Sequence, residues 1–254
     1  DCIYKLDFNK VLDYHIEKQA DITVVCANLP QGDDISRYGV VQMNEEGRIT
    51  EYEEKPMVAS SNIVSAGIYI IRRRALIELL EECNRENRYN LVTDILIRYK
   101  NLKKIYGYKM EGYWSNIADV DSYFRANLDF LKRDVRDYFF HEDPNVYSKT
   151  HDLPPAKYNV GSKVTNSLVA GGCIVNSTVD NSVLFEKVFV GNNSVVKNSI
   201  VLNGAYIGDN VRVENCIVES HETLLSGTSY VGENGVLIIT GNKNHYTMQE
   251  NGGV

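Results

Sequence analysis

The sequence predicts an α/β fold followed by an all-β one. Two periodicities and a break between them support this: strand and helix signals alternate over residues 1–133, prolines interrupt any period over 134–159, and a six-residue repeat without helical patterning runs over 160–254. With 254 residues, 43% of them hydrophobic and 24% charged, the chain is long enough for a large core. It lacks the low-complexity tracts that keep a chain unpacked.

The first region opens with a helical stretch that puts Val11, Leu12, His15 and Ile16 on one face, followed by a short buried-strand run over Ile22–Ala27. Tyr38–Met43 and Arg48–Glu53 flank Asn44-Glu45-Glu46-Gly47, where the glycine supplies the positive φ of a hairpin turn. Val64–Ile71 is a further strand, Ala75–Glu82 and Val92–Tyr99 are helices, and Lys103–Lys109 is a strand. Asp119–Leu131 is an amphipathic helix with an acidic cap. Such alternation predicts a mainly parallel sheet covered by helices. Pro144, Pro154 and Pro155 mark residues 134–159 as a linker.

In the second region Val183, Phe189, Val195, Val201, Ile207 and Val213 stand six apart. The tetrads beginning at Asn166, Asn181, Asn198 and Asn215 recur at steps of 15, 17 and 17, so a coil of about three hexads repeats. Flat faces meeting at corners account for this: each face turns one apolar side chain inward, and Asn, Gly and Asp take the corners, where a positive φ is tolerated. The pattern predicts a parallel β-helix. An ordinary β-sandwich is the alternative, and it would have to match six consecutive spacings by coincidence.

A formal charge of −7 and a pI near 5.3 leave no basic footprint for nucleic acid. No apolar run approaches the roughly 20 residues of a membrane span, and no signal-peptide pattern opens the chain. The five cysteines are odd in number, widely spaced and include no C-x-x-C, which points to reduced thiols in a cytoplasmic protein. The chain begins at Asp1 rather than Met, and an N-terminal part is expected to be missing.

The order Asp1-Cys-Ile-Tyr-Lys-Leu-Asp, Glu54-Lys55-Pro56, Ser65-Ala-Gly-Ile-Tyr69, Tyr113-Trp114 and then the hexads resembles the glucose-1-phosphate adenylyltransferase family along essentially the whole chain. The resemblance implies the later part of a Rossmann-like nucleotidyltransferase domain followed by a left-handed parallel β-helix. The family's Gly-rich phosphate loop, of the kind G-G-x-G-T-R-L, is not in this sequence. Position by position, Asp1 resembles a catalytic aspartate that binds Mg²⁺. Glu54 and Lys55 resemble the pair that holds the glucose hydroxyls and phosphate. Ser65, with Gly67 allowing close approach, resembles a sugar-contacting serine, and Trp114 the aromatic beside the glucose. Each also has a plain structural reading: a helix cap for Asp1, a charged turn for Glu54-Lys55, a small residue in a strand for Ser65, and core for Trp114.

Two departures set the functional expectation. Family members that catalyse read Y-W-x-D-V-G-T, whereas Asn116 stands here at the second metal-binding carboxylate. They also carry H-D-F-G before a helix, where this chain has Tyr89-Asn90-Leu91-Val92. The resemblance therefore points to a regulatory, D-type subunit of glycogen biosynthesis with a partial Mg²⁺ site. Its implied partners are a catalytic subunit in a hetero-oligomer, expected to be a tetramer, with ATP, glucose-1-phosphate and ADP-glucose as family ligands. A catalytically competent sugar-1-phosphate nucleotidyltransferase is the alternative. A more distant one is a hexapeptide-repeat acyltransferase using His221 or His245.

Overall fold

The computed structural model of the protein describes residues 1–29, 34–241 and a short strand at Tyr246–Thr247. Its elements in order are β1 (Cys2–Tyr4), α1 (Phe8–Glu17), β2 (Ile22–Asn28), β3 (Gly39–Met43), β4 (Ile49–Glu54), β5 (Ile63–Ile71), α2 (Arg73–Arg85), a π-helix (Val92–Ile97), β6 (Ile105–Lys109), β7 (Trp114–Asn116), α3 (Val120–Asp129) and α4 (Arg133–Phe140). Short strands then follow at every corner-to-corner step from Lys157 onward. Two compact units result, Tyr4–Trp114 and Asp1–Ile3 with Ser115–Val254.

The α/β unit is built on a five-stranded sheet in the order β4-β3-β5-β2-β6. Contrary to the expectation of a mainly parallel sheet, only β2 and β6 pair in parallel; β2/β5, β3/β4 and β3/β5 are antiparallel. The reason is local. A four-residue turn can only join antiparallel neighbours, and Asn44–Gly47 is one: Gly47 sits at φ +84 and the Asn44 side chain accepts from the Arg48 N–H at 2.8 Å.

β2 is buried on both faces. Ile22, Val24 and Cys26 pack with Leu79 and Cys83 of α2 and Ile95 of the π-helix, while Val25 and Ala27 pack with Val11 of α1, Val40 and Val64. Asp7 starts α1 by accepting from the Asn9 N–H. Of the four residues expected on the apolar face of α1, Val11 and His15 are buried, but Leu12 and Ile16 are 44% and 63% exposed. The helix contacts the sheet along a stripe narrower than its apolar content.

The second unit is a parallel β-helix with three sheets. One column of aligned residues runs Val169, Leu184, Val201, Val218 and the neighbouring one Leu168, Val183, Ile200, Ile217. The first column points into the coil, where Leu184, Val190, Val196, Val201, Ile207, Val213 and Val218 form the core. Their steps are six, six, five, six, six and five, so a coil holds 17 residues. The unbroken period of six read from the sequence therefore changes face at the Asn198 corner. Val201, Ile207 and Val213 point inward, whereas Phe189 and Val195 point outward, with Val195 38% exposed and the Phe189 ring stacked on Tyr206 at 4.8 Å.

The Asn tetrads mark those corners. Asn166, Asn181, Asn198 and Asn215 all have positive φ; the amides of the first three donate to the next coil's Asn oxygen, at 2.7, 2.9 and 3.2 Å, and that of Asn215 donates to the Gly232 and Gly235 carbonyls. The serines after them form a parallel rung: Ser182 N–H donates to Ser167 Oγ, Ser199 N–H to Ser182 Oγ and Cys216 N–H to Ser199 Oγ. The outer side of the sheet that carries Ile200 and Ile217 is covered by α3, whose Phe124 packs with them and with Val236. Asp119 and Ser122 form a capping box that starts this helix.

The stretch expected as an irregular linker is helical at its start, because Val135 and Phe139, four apart, bury one side of α4. It already contributes a strand of the β-helix at Lys157–Tyr158, which pairs with Ile174–Val175. All five cysteines are free thiols. Burial pushes Cys26 up to about 12 and Cys216 up to about 11, so neither forms thiolate near neutrality.

Candidate active site

The residues singled out by sequence fall into three groups. In the α/β unit, Glu54 ends β4 and Lys55 follows it at φ +48, a left-handed conformation unusual for a residue with a side chain. Its N–H is held by the Tyr38 carbonyl at 3.0 Å. The Tyr38 ring in turn meets Trp114 edge-on at 5.6 Å, and both join the cluster that contains Val64 and Ala66. Lys55 and Trp114 are thus linked through Tyr38. The indole Nε1 of Trp114 is buried and has no hydrogen-bond partner among the described residues.

Ser65 belongs to the opposite face of the same strand. Its hydroxyl lies 3.4 Å from that of Tyr69 and accepts from the Gly67 N–H at 3.3 Å. Tyr52 joins these hydroxyls, and its phenol is pushed well above the ordinary range, first by burial and then by the charge of Tyr69 beside it. The Tyr52 side chain passes across Gly39, where a Cβ would stand 2.6 Å from its hydroxyl, so only glycine fits on the intervening strand. β2 and β5 fall out of register between Val25 and Cys26, and Ala66 and Gly67 bulge from the ladder there. Gly67 has φ +73 and open space where its side chain would be, which leaves the backbone accessible beside Ser65.

In the second unit the Ile117 N–H donates to the Asp1 carbonyl at 2.9 Å, and β1 and β7 pair, so the backbones of Asp1 and Asn116 are neighbours. The carboxylate of nearby Asp119 is turned to the Ser122 N–H of its own helix. For Mg²⁺, the donors that this place offers are one carboxylate and one carboxamide. They do not make a two-carboxylate clamp, and among the described residues no group of three His, Cys, Asp or Glu could hold a metal ion.

Asn90 acts as a helix cap. Its side-chain oxygen accepts from the Val92 and Thr93 N–H groups at 2.9 and 3.1 Å, and Asp94 accepts from the Asn90 N–H at 2.9 Å. The amide here is therefore committed to starting a helix, which a carboxylate would do equally well. His221 occupies a β-helix corner at φ +61 with its ring against Gly204. His245 lies outside the described residues. Of the partners of the site residues, Tyr69 lies within the quoted motif, whereas Tyr38 and Tyr52 escape sequence reasoning. The alternation Thr50-Glu-Tyr-Glu-Glu54, which sends Tyr52 inward, was the available signal.

The nucleotidyl transferase family profile matches residues 1–133, and a GlmU-like C-terminal hexapeptide profile matches residues 154–254. The chain belongs to the nucleotidyl transferase family. The chain is similar to the glucose-1-phosphate adenylyltransferase of Clostridium botulinum (strain Alaska E43 / Type E3), 39% identical over 197 residues that are 76% of this chain and 50% of the relative. It is 37% identical to that of Bacillus subtilis (strain 168) over 76% of this chain and 51% of the relative. The chain spans about half the length of the curated relatives it matches. Among the described residues, no helix is long and apolar enough to cross a membrane.

Proposed function

We propose that the chain is part of a glucose-1-phosphate adenylyltransferase subunit of glycogen synthesis, regulatory in role and assembled with a catalytic subunit of the same family in the cytoplasm. The enzyme as a whole joins ATP and glucose-1-phosphate into ADP-glucose and diphosphate. The observation that carries the regulatory reading is Asn116, the backbone neighbour of Asp1, where the reaction calls for a second anion. When bound, Mg²⁺ neutralises charge that develops on the transferred phosphoryl group. A unit charge pair near 4 Å is worth about 4 kcal/mol at an effective dielectric of 20, and each 1.4 kcal/mol is about a decade in rate, so this exchange alone removes up to about three decades.

The retained residues suit sugar-phosphate binding. Lys55 would meet the phosphate, Glu54 the hydroxyls, and the open bulge at Gly67 with Ser65 beside it would let a sugar approach the backbone. This set also favours the second reading, a working enzyme in which one carboxylate and the substrate phosphates suffice for the metal.

The two readings separate in an assay of the full-length protein, alone and mixed with a catalytic subunit. The regulatory reading expects background ADP-glucose formation alone, a changed rate or effector response in the mixture, and a gain of one or more decades with Asn116→Asp. Full-length protein that makes ADP-glucose unaided at ordinary enzymatic rates ends that reading and leaves the competent enzyme.

A further inference from the structure

On the sugar-phosphate reading of Ser65 above, on which this step rests, we infer that Tyr52 is a positioning residue that holds the Ser65 hydroxyl for a sugar hydroxyl and reaches it through a gap left in β3 by Gly39.

β3 lies between β4, which carries Tyr52, and β5, which carries Ser65. Gly39 is paired with Glu54 on one side, and on the other the antiparallel Val40–Val64 pair brings it abreast of Ser65. Glu54, Gly39 and Ser65 therefore form one rung across three strands, and directly opposed side chains share a face. Tyr52, two residues before Glu54, shares that face as well. Val41 stands directly opposite Tyr52, and the ring leans along the diagonal to Gly39, a reach that aromatic side chains have. A Cβ on Gly39 would stand 2.8 Å from the ring as well as 2.6 Å from the hydroxyl. The phenol thus fills the place of the absent side chain, next to Ser65.

Ser65 needs a holder from outside its own strand. The two contacts that β5 gives its hydroxyl, 3.3 Å from the Gly67 N–H and 3.4 Å from the Tyr69 hydroxyl, are long for hydrogen bonds. Gly67 also belongs to the bulge where β5 leaves its register with β2, so the ladder does not fix this neighbour. A serine hydroxyl held so loosely can turn among its staggered rotamers. Tyr52 is bonded to the hydroxyls of both Ser65 and Tyr69, and burial keeps its phenol protonated, so a donor is always present. Its ring has only two rotatable bonds and is 4% exposed, which makes it a fixed reference for the mobile Ser65 hydroxyl.

Isothermal titration of the full-length protein with glucose-1-phosphate and with inorganic phosphate tests this. Tyr52→Phe keeps the ring and removes one hydroxyl; it should weaken glucose-1-phosphate about three- to tenfold and leave phosphate, which makes no sugar contact, unchanged. Gly39→Ala, at a residue whose φ is outside the left-handed region, should displace the Tyr52 ring and weaken glucose-1-phosphate at least as much. Ser65→Ala checks the underlying reading. If it leaves glucose-1-phosphate binding intact, or if the unaltered protein binds no glucose-1-phosphate, the sugar role of Ser65 falls and that of Tyr52 with it. If Ser65→Ala weakens binding and either Tyr52→Phe or Gly39→Ala does not, the role of Tyr52 alone is overturned. An equal loss of phosphate and glucose-1-phosphate binding in Tyr52→Phe overturns it too, because that marks a general loss of structure.

Discussion

Left-handed residues other than glycine occur in both regions of the molecule but for different reasons. In the β-helix they are mostly asparagines at corners, among them Asn166, Asn181, Asn198 and Asn215, each held by the coil before or after it. In the α/β unit Gln19 and Asn87 directly follow helices, and Lys55 alone stands at the end of a strand, among the candidate sugar-phosphate residues. Strain that repeats belongs to the architecture and is shared along a ladder. Strain that occurs once has to be held by its own surroundings, here the Tyr38 carbonyl.

The sharpest challenge to this contrast lies in the β-helix core. Leu184→Ala should cost about 2–5 kcal/mol, because it leaves a cavity between coils, whereas Val195→Thr on the outer face should stay within about 0.5 kcal/mol. Chemical denaturation of both variants measures the difference, and equal losses would contradict the phase change at the Asn198 corner. Next in size is the corner itself. Asn198→Ala loses both the tolerance for positive φ and the hydrogen bonds to Asn181 and Asn215, at a cost of about 1–3 kcal/mol. Asn198→Gly keeps the first and loses the second, so the gap between the two variants isolates the backbone term.

In the α/β unit the expected effects are smaller. Asn90→Ala should destabilise by about 1 kcal/mol through the lost cap, while Asn90→Asp should leave the melting temperature nearly unchanged. A large loss with Asp would mean that the amide N–H₂ group has a role which the cap does not explain.

The smallest effect is one of pH. His15 Nδ1 lies 2.8 Å from Thr23 Oγ1, and burial, then Arg72, lowers its pKa from the ordinary 6.5. The unfolded chain therefore takes up this proton first as pH falls. Stability from neutral His15 is complete above about pH 6.5 and declines below it, and His15→Gln should flatten that part of the stability profile.

Much of the fold could be read before any coordinates, and the misses share a cause. The Asn44–Gly47 hairpin, the Asp119 cap and the β-helix were legible because turn chemistry and repeats act within a few residues or recur. The five-residue side of each coil was not, since Val183, Phe189 and Val195 satisfy a period of six as well as the inward residues do. Helix α4 was overlooked although Val135 and Phe139 carried a helical spacing. At the candidate site, Asp1, Glu54, Lys55, Ser65, Gly67, Trp114 and Asn116 were named from motifs, but the motifs say nothing of Tyr52 on β4, which joins Ser65, or of Tyr38 just before β3, which holds Lys55.

By itself the sequence determined the order of the two regions and the corners of the β-helix, because these follow from local backbone preferences and a repeat that recurs along the chain. Only the tertiary structure decided which apolar residues face inward, that the sheet is mostly antiparallel, and that Asn90 is engaged as a cap. Those outcomes depend on strand pairing and packing between residues far apart in the chain, where many partners are sterically possible and the best-packed arrangement prevails.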